Sequence, residues 1–269
     1  MENDPIITLT TDFGTRDGYV GAMVGVIVRQ CPAARIFTIT HDVKPQDIIG
    51  GAWALRNAWR WFPRETIHVA VVDPGVGTDR RPVLVRAAGH TFIGPDNGLI
   101  TGAIAGTMID VARVIENPKA RAPETSATFH GRDIFAWAAG WLLCGHEWPA
   151  VGGPIRPHDL VRPPDESPRV RKDKRGTSIQ GRALLADRFG NLITSIFGTL
   201  IDEAMGPRSI PEVRVNGTPV RFGRTFGDVG DGESIAYVGS GGQLEIAING
   251  GSAAEVFGSA ASVVVSVPA

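Results

Sequence analysis

The sequence predicts an N-terminal α/β domain with a largely parallel sheet over residues 1–164, followed by a smaller C-terminal all-β barrel domain over residues 165–269. Three observations predict this. In the first 150 or so residues, short β-branched runs alternate with amphipathic stretches, the pattern of a sheet covered by helices. Pro154 to Arg175 then carries five prolines among many charges and almost no apolar periodicity, which reads as a linker or an extended wrapping segment. Beyond it, short strands separated by Gly-rich turns dominate, as in a small barrel or sandwich.

Taken in order, Pro5 to Thr10 reads as a strand ending at Thr11-Asp12-Phe13-Gly14, with a helix from about Gly18 to Gln30 and a strand at Ile36 to Thr40. Ile48, Ala52, Leu55, Ala58, Trp59 and Phe62 recur at helical spacing, so Gln46 to Phe62 is an amphipathic helix. The apolar run from Ile67 stops at Asp73, where Pro74, Gly75 and Gly77 break the strand and turn it. A strand at Val83 to Ala87, a turn at Pro95-Asp96-Asn97-Gly98 and a helix through Leu143 with Asp133 as its N-cap complete the first domain. In the second, Ile179 to Leu185, Leu192 to Ile196, Ser234 to Val238, Gln243 to Ile248 and Ala261 to Val267 read as strands. Asn216-Gly217 between two alternating runs marks a hairpin over Val213 to Val220.

Composition narrows the function classes. A hydrophobic content of 43% and a charged content of 20% are those of an ordinary globular protein. The net charge of −1 gives no electrostatic case for nucleic acid or an anionic membrane as partner. Cys31 and Cys144 lie far apart and form no C-x-x-C pair, against a disulfide framework or structural zinc. The start, Met-Glu-Asn-Asp-Pro, has no basic and apolar leader pattern, and the longest strongly apolar stretch, Ile134 to Cys144, is too short to span a bilayer. A cytoplasmic protein is expected.

Asp73 and Asp12 each end a strand, and in open α/β sheets the carboxyl edge is where ligands sit. Arg80 and Arg81 follow Asp73 within reach of the same crevice. The structural alternative is a pair of turn-capping aspartates with solvated arginines. His130, in Thr128-Phe129-His130-Gly131-Arg132-Asp133, stands ahead of a helix, as a site residue or a capping one. His68 reads as strand packing, and His146 and His158 as surface-loop residues. Asp12, Asp73, His130 and Asp133 offer oxygen and nitrogen donors, but no ligand spacing requires a metal. No phosphate loop, H-E-x-x-H or G-x-S-x-G motif is present. Residue logic alone reaches a polar-ligand enzyme with an Asp/Arg/His cluster.

The ordered set Thr11-Asp12-Phe13-Gly14, Val72-Asp73-Pro74-Gly75-Val76-Gly77-Thr78, Arg80, Pro95-Asp96-Asn97-Gly98-Leu99, Thr128-Phe129-His130-Gly131-Arg132-Asp133 and Asp187-Arg188-Phe189-Gly190-Asn191 resembles the S-adenosyl-L-methionine hydroxide adenosyltransferases, relatives of the fluorinase and chlorinase. The resemblance runs from about residue 6 to 252. It implies hydrolysis of S-adenosyl-L-methionine to adenosine and L-methionine, with water or hydroxide attacking the ribose C5′ carbon. It also implies that Asp73, Arg80 and His130 activate the water, Asp12 holds the ribose hydroxyls, Asn191 and Phe226 take the adenine, and Asp187 and Ser240 hold the methionine amine and carboxylate. No cofactor and no metal are implied, since S-adenosyl-L-methionine is the substrate. The implied assembly is a homotrimer with sites built between chains.

Departures from the halide-using relatives disfavour halide use. Asp73-Pro74-Gly75-Val76-Gly77 replaces a tyrosine-led, threonine-containing pocket, and Gly131 stands where the fluorinase has a serine. Gly241 follows Ser240 where halogenases carry arginine, and the first-domain insertion of the halogenases is missing. The alternatives that remain are a chlorinase-type adenosyltransferase and a non-catalytic adenosine-binding protein.

Overall fold

The computed structural model describes residues 4–174, 176–206 and 209–268, so Met1 to Asn3 of the leader argument and Arg175 of the proline-rich segment lie outside the described residues. The chain divides into two compact units, Met1–Pro163 and Pro164–Ala269.

In the first unit, β1 (Ile6–Thr11), β2 (Arg35–Thr40) and β3 (Ile67–Val71) alternate with α1 (Tyr19–Gln30) and α2 (Ile48–Ala58). Then come β4 (Pro82–Ala87), β5 (His90–Pro95), α3 (Leu99–Ala103), β6 (Ile109–Val114), α4 (Trp137–Leu143) and the two-residue β7 (Pro154–Ile155). The seven strands form one sheet in the order β2-β1-β3-β5-β4-β6-β7. It is parallel from β2 to β5, where Asp12 and Asp73 end their strands, and antiparallel from β5 to β7. Both faces are covered. Val69 and Val71 pack with Met23, Ile27 and Phe135 on one side, while Ala70 and Val72 pack with Leu55, Leu99 and Phe92 on the other. A strand buried on both faces must be apolar at every position, which is why the run before Asp73 shows no alternation.

Two expectations change here. The proline-rich segment is not a bare linker: Ile155 pairs with Ala112, and Val161 donates its N–H to Asp96 and accepts from the Thr101 hydroxyl. Its last part forms a strand, β8 (Arg169–Asp173). Asp133 is not an N-cap either, because the chain is already helical before it: Gly131–Ala136 forms a π-helix whose cap position is His130.

The second unit adds β9 (Gly176–Ala186), β10 (Leu192–Phe197), α5 (Gly198–Ala204), β11 (Glu212–Val215), β12 (Thr218–Phe222), β13 (Ser234–Val238), β14 (Gln243–Ile248), α6 (Ala253–Phe257) and β15 (Ser262–Pro268). The sheet order β10-β14-β13-β12-β11-β15-β9 closes through a β9–β10 pairing, with β8 flanking β9. Closure removes the unpaired strand edges of an open sheet. Ile179, Leu192, Val213, Ala236, Leu244, Ile246 and Val265 fill the interior. Among the described residues, no helix is long and apolar enough to cross a membrane.

Candidate active site

β1 and β3 are parallel neighbours with Thr11 opposite Val71, so Asp12 and Asp73 leave the sheet at the same edge. The turn after β3 is held by hydrogen bonds from Val76 N to the Asp73 carbonyl (3.2 Å) and from the Thr78 hydroxyl to the Gly75 carbonyl (2.7 Å). Gly77 sits at φ 79°, and a Cβ there would stand 2.7 Å from the Ala127 carbonyl oxygen, so the turn requires glycine. It brings Arg80 back onto Asp73. Arg80 Nε donates to Asp73 Oδ1 (2.9 Å) and Nη2 to Oδ2 (2.5 Å), a bidentate pair whose side chains are only 9% and 5% exposed. The same Nη2 lies 2.7 Å from His130 Nδ1, and the guanidinium rests over the Phe135 ring. Three separate stretches of sequence thus meet in one chain, Asp73–Arg80–His130.

An arginine can only donate, so His130 Nδ1 is the acceptor and the neutral ring carries its proton on Nε2. Burial, and then the Arg80 charge, lower the His130 pKa below its usual 6.5, so the ring is neutral at neutral pH. His130 stands at the start of the π-helix, and the Phe129 carbonyl just before it accepts from both Arg132 N (3.2 Å) and Asp133 N (3.1 Å). Such turns recur at functional sites. The buried Asp133 carboxylate pairs with Arg132 (2.6 Å) and accepts from Ser126 N (2.9 Å), fixing the loop that presents Thr128, Phe129 and His130. Among the described residues, no group of three or more His, Cys, Asp or Glu side chains is arranged to hold a metal ion.

A cavity of about 410 Å³ opens here, and Asp73, His130, Gly131, Phe13, Tyr19 and Phe129 are part of its wall. The three aromatic rings meet edge to face at 5.2–6.0 Å. Gly131 lets Phe13 lie against the backbone, since a Cβ would stand 3.1 Å from that ring. Sequence reasoning singled out none of these rings. The signal available was that Phe13 follows Asp12 and Phe129 precedes His130; Tyr19 gave none. Asp12 lies outside this wall, with Oδ2 accepting from Gln46 N at 2.8 Å. Arg81 leaves the crevice altogether. It pairs with the buried Asp96 (2.5 Å) and donates to the Asp159 carbonyl (2.6 Å).

In the second unit, Asp187 and Asn191 are joined in the turn between β9 and β10. Asp187 Oδ1 accepts from Phe189 N (2.8 Å) and Asn191 N (2.9 Å), and Oδ2 accepts from Asn191 Nδ2 (2.9 Å). Ser240 is exposed on the turn between β13 and β14. Phe226 begins a short 3-10 turn fixed by the Thr225/Asp228 capping box and is 56% exposed.

Residues 7–152 match the family model of the SAM hydroxide adenosyltransferase N-terminal domain, and residues 181–265 match that of the C-terminal domain. The chain belongs to the SAM hydroxide adenosyltransferase family. A family relative from Salinispora tropica, named (R)-S-adenosyl-L-methionine hydrolase, is 40% identical over 259 residues, covering 96% of this chain and 95% of the relative. The crystal structure of an uncharacterized conserved protein from Thermotoga maritima superposes with a TM-score of 0.84 at 33% identity, covering 97% of this chain and 99% of that one. A protein from an Actinoplanes species named fluorinase is more distant, at 27% identity over 275 residues, with 91% of each chain covered.

Proposed function

We propose that this family member hydrolyses S-adenosyl-L-methionine to adenosine and L-methionine, with Asp73, Arg80 and His130 preparing the attacking water. The observation that carries the reading is the Asp73–Arg80–His130 chain at the wall of a cavity on the carboxyl edge of the sheet. A water in that cavity attacks C5′ as the C5′–S bond breaks. The bonding pair moves onto sulfur, which leaves as the neutral thioether of methionine and needs no general acid. The water proton passes to Asp73, because His130 Nδ1 is occupied by Arg80 and Nε2 already carries hydrogen. His130 Nε2–H orients the water, and Arg80 stabilises the hydroxide charge as it develops. An anionic nucleophile and a cationic sulfonium neutralise each other in the transition state, which a dry, preorganised pocket favours.

The remaining roles follow the family resemblance. Asp12 holds the ribose hydroxyls, Asn191 and Phe226 the adenine, and Asp187 and Ser240 the amine and carboxylate of the methionine portion. A cavity whose wall carries the Asp73 carboxylate and a neutral histidine repels a halide ion, which argues against the chlorinase-type reading. Incubation with S-adenosyl-L-methionine should give equal amounts of adenosine and methionine by chromatography, in the presence of EDTA and without 5′-chloro-5′-deoxyadenosine in chloride. Adenosine binding without methionine release would leave a binding protein instead.

We also infer a cytoplasmic homotrimer in which each site draws residues from neighbouring chains, as the resemblance implies. Cyclic symmetry would repeat one head-to-tail contact and make equivalent sites. After confirmed subunit exchange, mixing Asp73→Asn chains with Asn191→Ala chains should restore some activity. No recovery, or a fully active monomer by light scattering, would overturn the shared site.

A further inference from the structure

The loop that carries Asp12 is tied at both ends to one residue. His41 directly follows β2 and is only 5% exposed. Its ring bridges two neighbouring strands: Nδ1 lies 2.9 Å from the Thr11 hydroxyl at the end of β1, and Nε2 lies 3.1 Å from the Thr38 hydroxyl on β2. The Thr11 hydroxyl oxygen also accepts from Phe13 N (3.2 Å). At the other end of the loop, the His41 carbonyl accepts from Gly14 N (2.8 Å). Asp12 and Phe13 therefore lie between two anchors, the side chain and the backbone of the same histidine. A neutral imidazole presents one donor and one acceptor, and a hydroxyl serves as either, so both ring nitrogens are satisfied in either tautomer. Burial lowers the pKa of the ring, with Asp42 opposing, so it is neutral at neutral pH. His41 itself lies outside the cavity wall that carries Asp73 and His130.

The residues held between those anchors give the histidine a use. Phe13 is part of the cavity wall and lies against Gly131, the residue after His130. Asp12 is held from a second side by Gln46, whose N–H donates to Oδ2 (2.8 Å) from left-handed backbone at φ 66°. That single bond fixes one carboxylate oxygen. The direction in which the side chain leaves the loop depends on the backbone, and so on the Thr11 and Gly14 anchors. A binding group has to be held within about 0.5 Å of its working position by neighbours that are themselves locked. We propose that His41 is a positioning residue that sets the Asp12-Phe13-Gly14 loop for the ribose of the substrate, an assignment that rests on the role given to Asp12 above. Its influence falls on the grip on the nucleoside. A histidine that only stabilised the sheet would leave that grip unchanged in folded protein.

The test measures adenosine affinity by calorimetry, on variants shown by circular dichroism to be folded, beside steady-state kinetics with S-adenosyl-L-methionine. His41→Ala is expected to weaken adenosine binding about tenfold, the scale of a lost hydrogen bond, with a similar rise in KM and a smaller change in kcat. Asparagine places a polar atom near the position of Nδ1 and can reach Thr11, whereas glutamine reaches the position of Nε2 and Thr38. His41→Asn should therefore restore affinity to within about threefold of the unsubstituted protein, and His41→Gln should not. In an Asp12→Ala background, His41→Ala should change adenosine affinity by less than about threefold, because the carboxylate that it positions is gone. Equal losses in the two backgrounds would show that His41 does not act through Asp12. An unchanged affinity in His41→Ala, or equal recovery by asparagine and glutamine, would make it merely structural. If His41→Ala does not fold, the comparison of His41→Asn with His41→Gln decides. Adenosine binding without cleavage of S-adenosyl-L-methionine would defeat the hydrolase reading while the affinity ratios still decide His41. Binding of neither compound would overturn both.

Discussion

Asp73→Asn is expected to lower turnover of S-adenosyl-L-methionine by at least about a hundredfold, the scale of a lost general base. The amide is nearly isosteric, yet it cannot take the water proton. It also leaves Arg80, 9% exposed, without its bidentate anion partner. Two consequences separate these effects from unfolding. Adenosine affinity should fall far less than turnover, because the nucleoside contacts are assigned to other residues. His130→Ala should give a loss of similar order, since the ring orients the water while Arg80 occupies its other nitrogen. In the unsubstituted protein, activity should fall with acid only below pH 6.5, because His130 titrates beneath its ordinary value and its protonation breaks the bond from Arg80. Near-native turnover in both variants would remove the proposed water activation, and an acid limb centred above 6.5 would contradict the neutral-ring geometry.

The parts of this site that were legible in the sequence are those that punctuate a pattern. Asp73 ends an apolar run buried on both faces, and His130 precedes a glycine at a helix start. Arg80 and Arg81 look alike in sequence. The turn around Gly77 sends the first back to Asp73, and the second runs to Asp96. The π-helix was invisible because one widened turn leaves the apolar spacing of an ordinary helix nearly unchanged. The same division holds for the fold. Asn216 and Gly217 announced their hairpin and adopt φ values of 50° and 83°. The β4–β5 hairpin turns at Ala88 and Gly89, with Ala88 at φ 51°, where alanine carries no turn signal. Every residue of β8 is exposed, so backbone pairing with β9 holds it and no alternation betrays it. α3, α5 and α6, of five, seven and five residues, are too short to display a period.

His68 is expected to make the first unit strongly acid-sensitive. It is fully buried on β3, with Nδ1 2.7 Å from the Thr8 hydroxyl on β1 and Nε2 3.2 Å from His90 Nδ1 on β5. Phe92 stacks on the ring, and Phe62 closes its edge. Burial and then His90 push its pKa from 6.5 down to about 3, while Arg64 and Glu65 act in opposite senses on His90. A depressed folded-state pKa means that the unfolded chain binds the proton first. The stabilisation is therefore complete above pH 6.5 and is lost as pH falls from 6.5 toward 3. At about 1.4 kcal/mol per pKa unit, the whole interval amounts to about 4–5 kcal/mol, of which about 2 kcal/mol falls between pH 6.5 and pH 5. All six tryptophans precede residue 164, so their fluorescence in a urea titration reports this unit alone. His68→Gln keeps a polar partner for Thr8 but cannot titrate. Its stability should therefore decline between pH 7 and pH 5 by about 2 kcal/mol less than that of the unsubstituted protein. The readout is the pH dependence, not the absolute stability. Parallel declines in the two proteins would show that His68 is not the proton-binding group and that buried carboxylates set the acid limit instead.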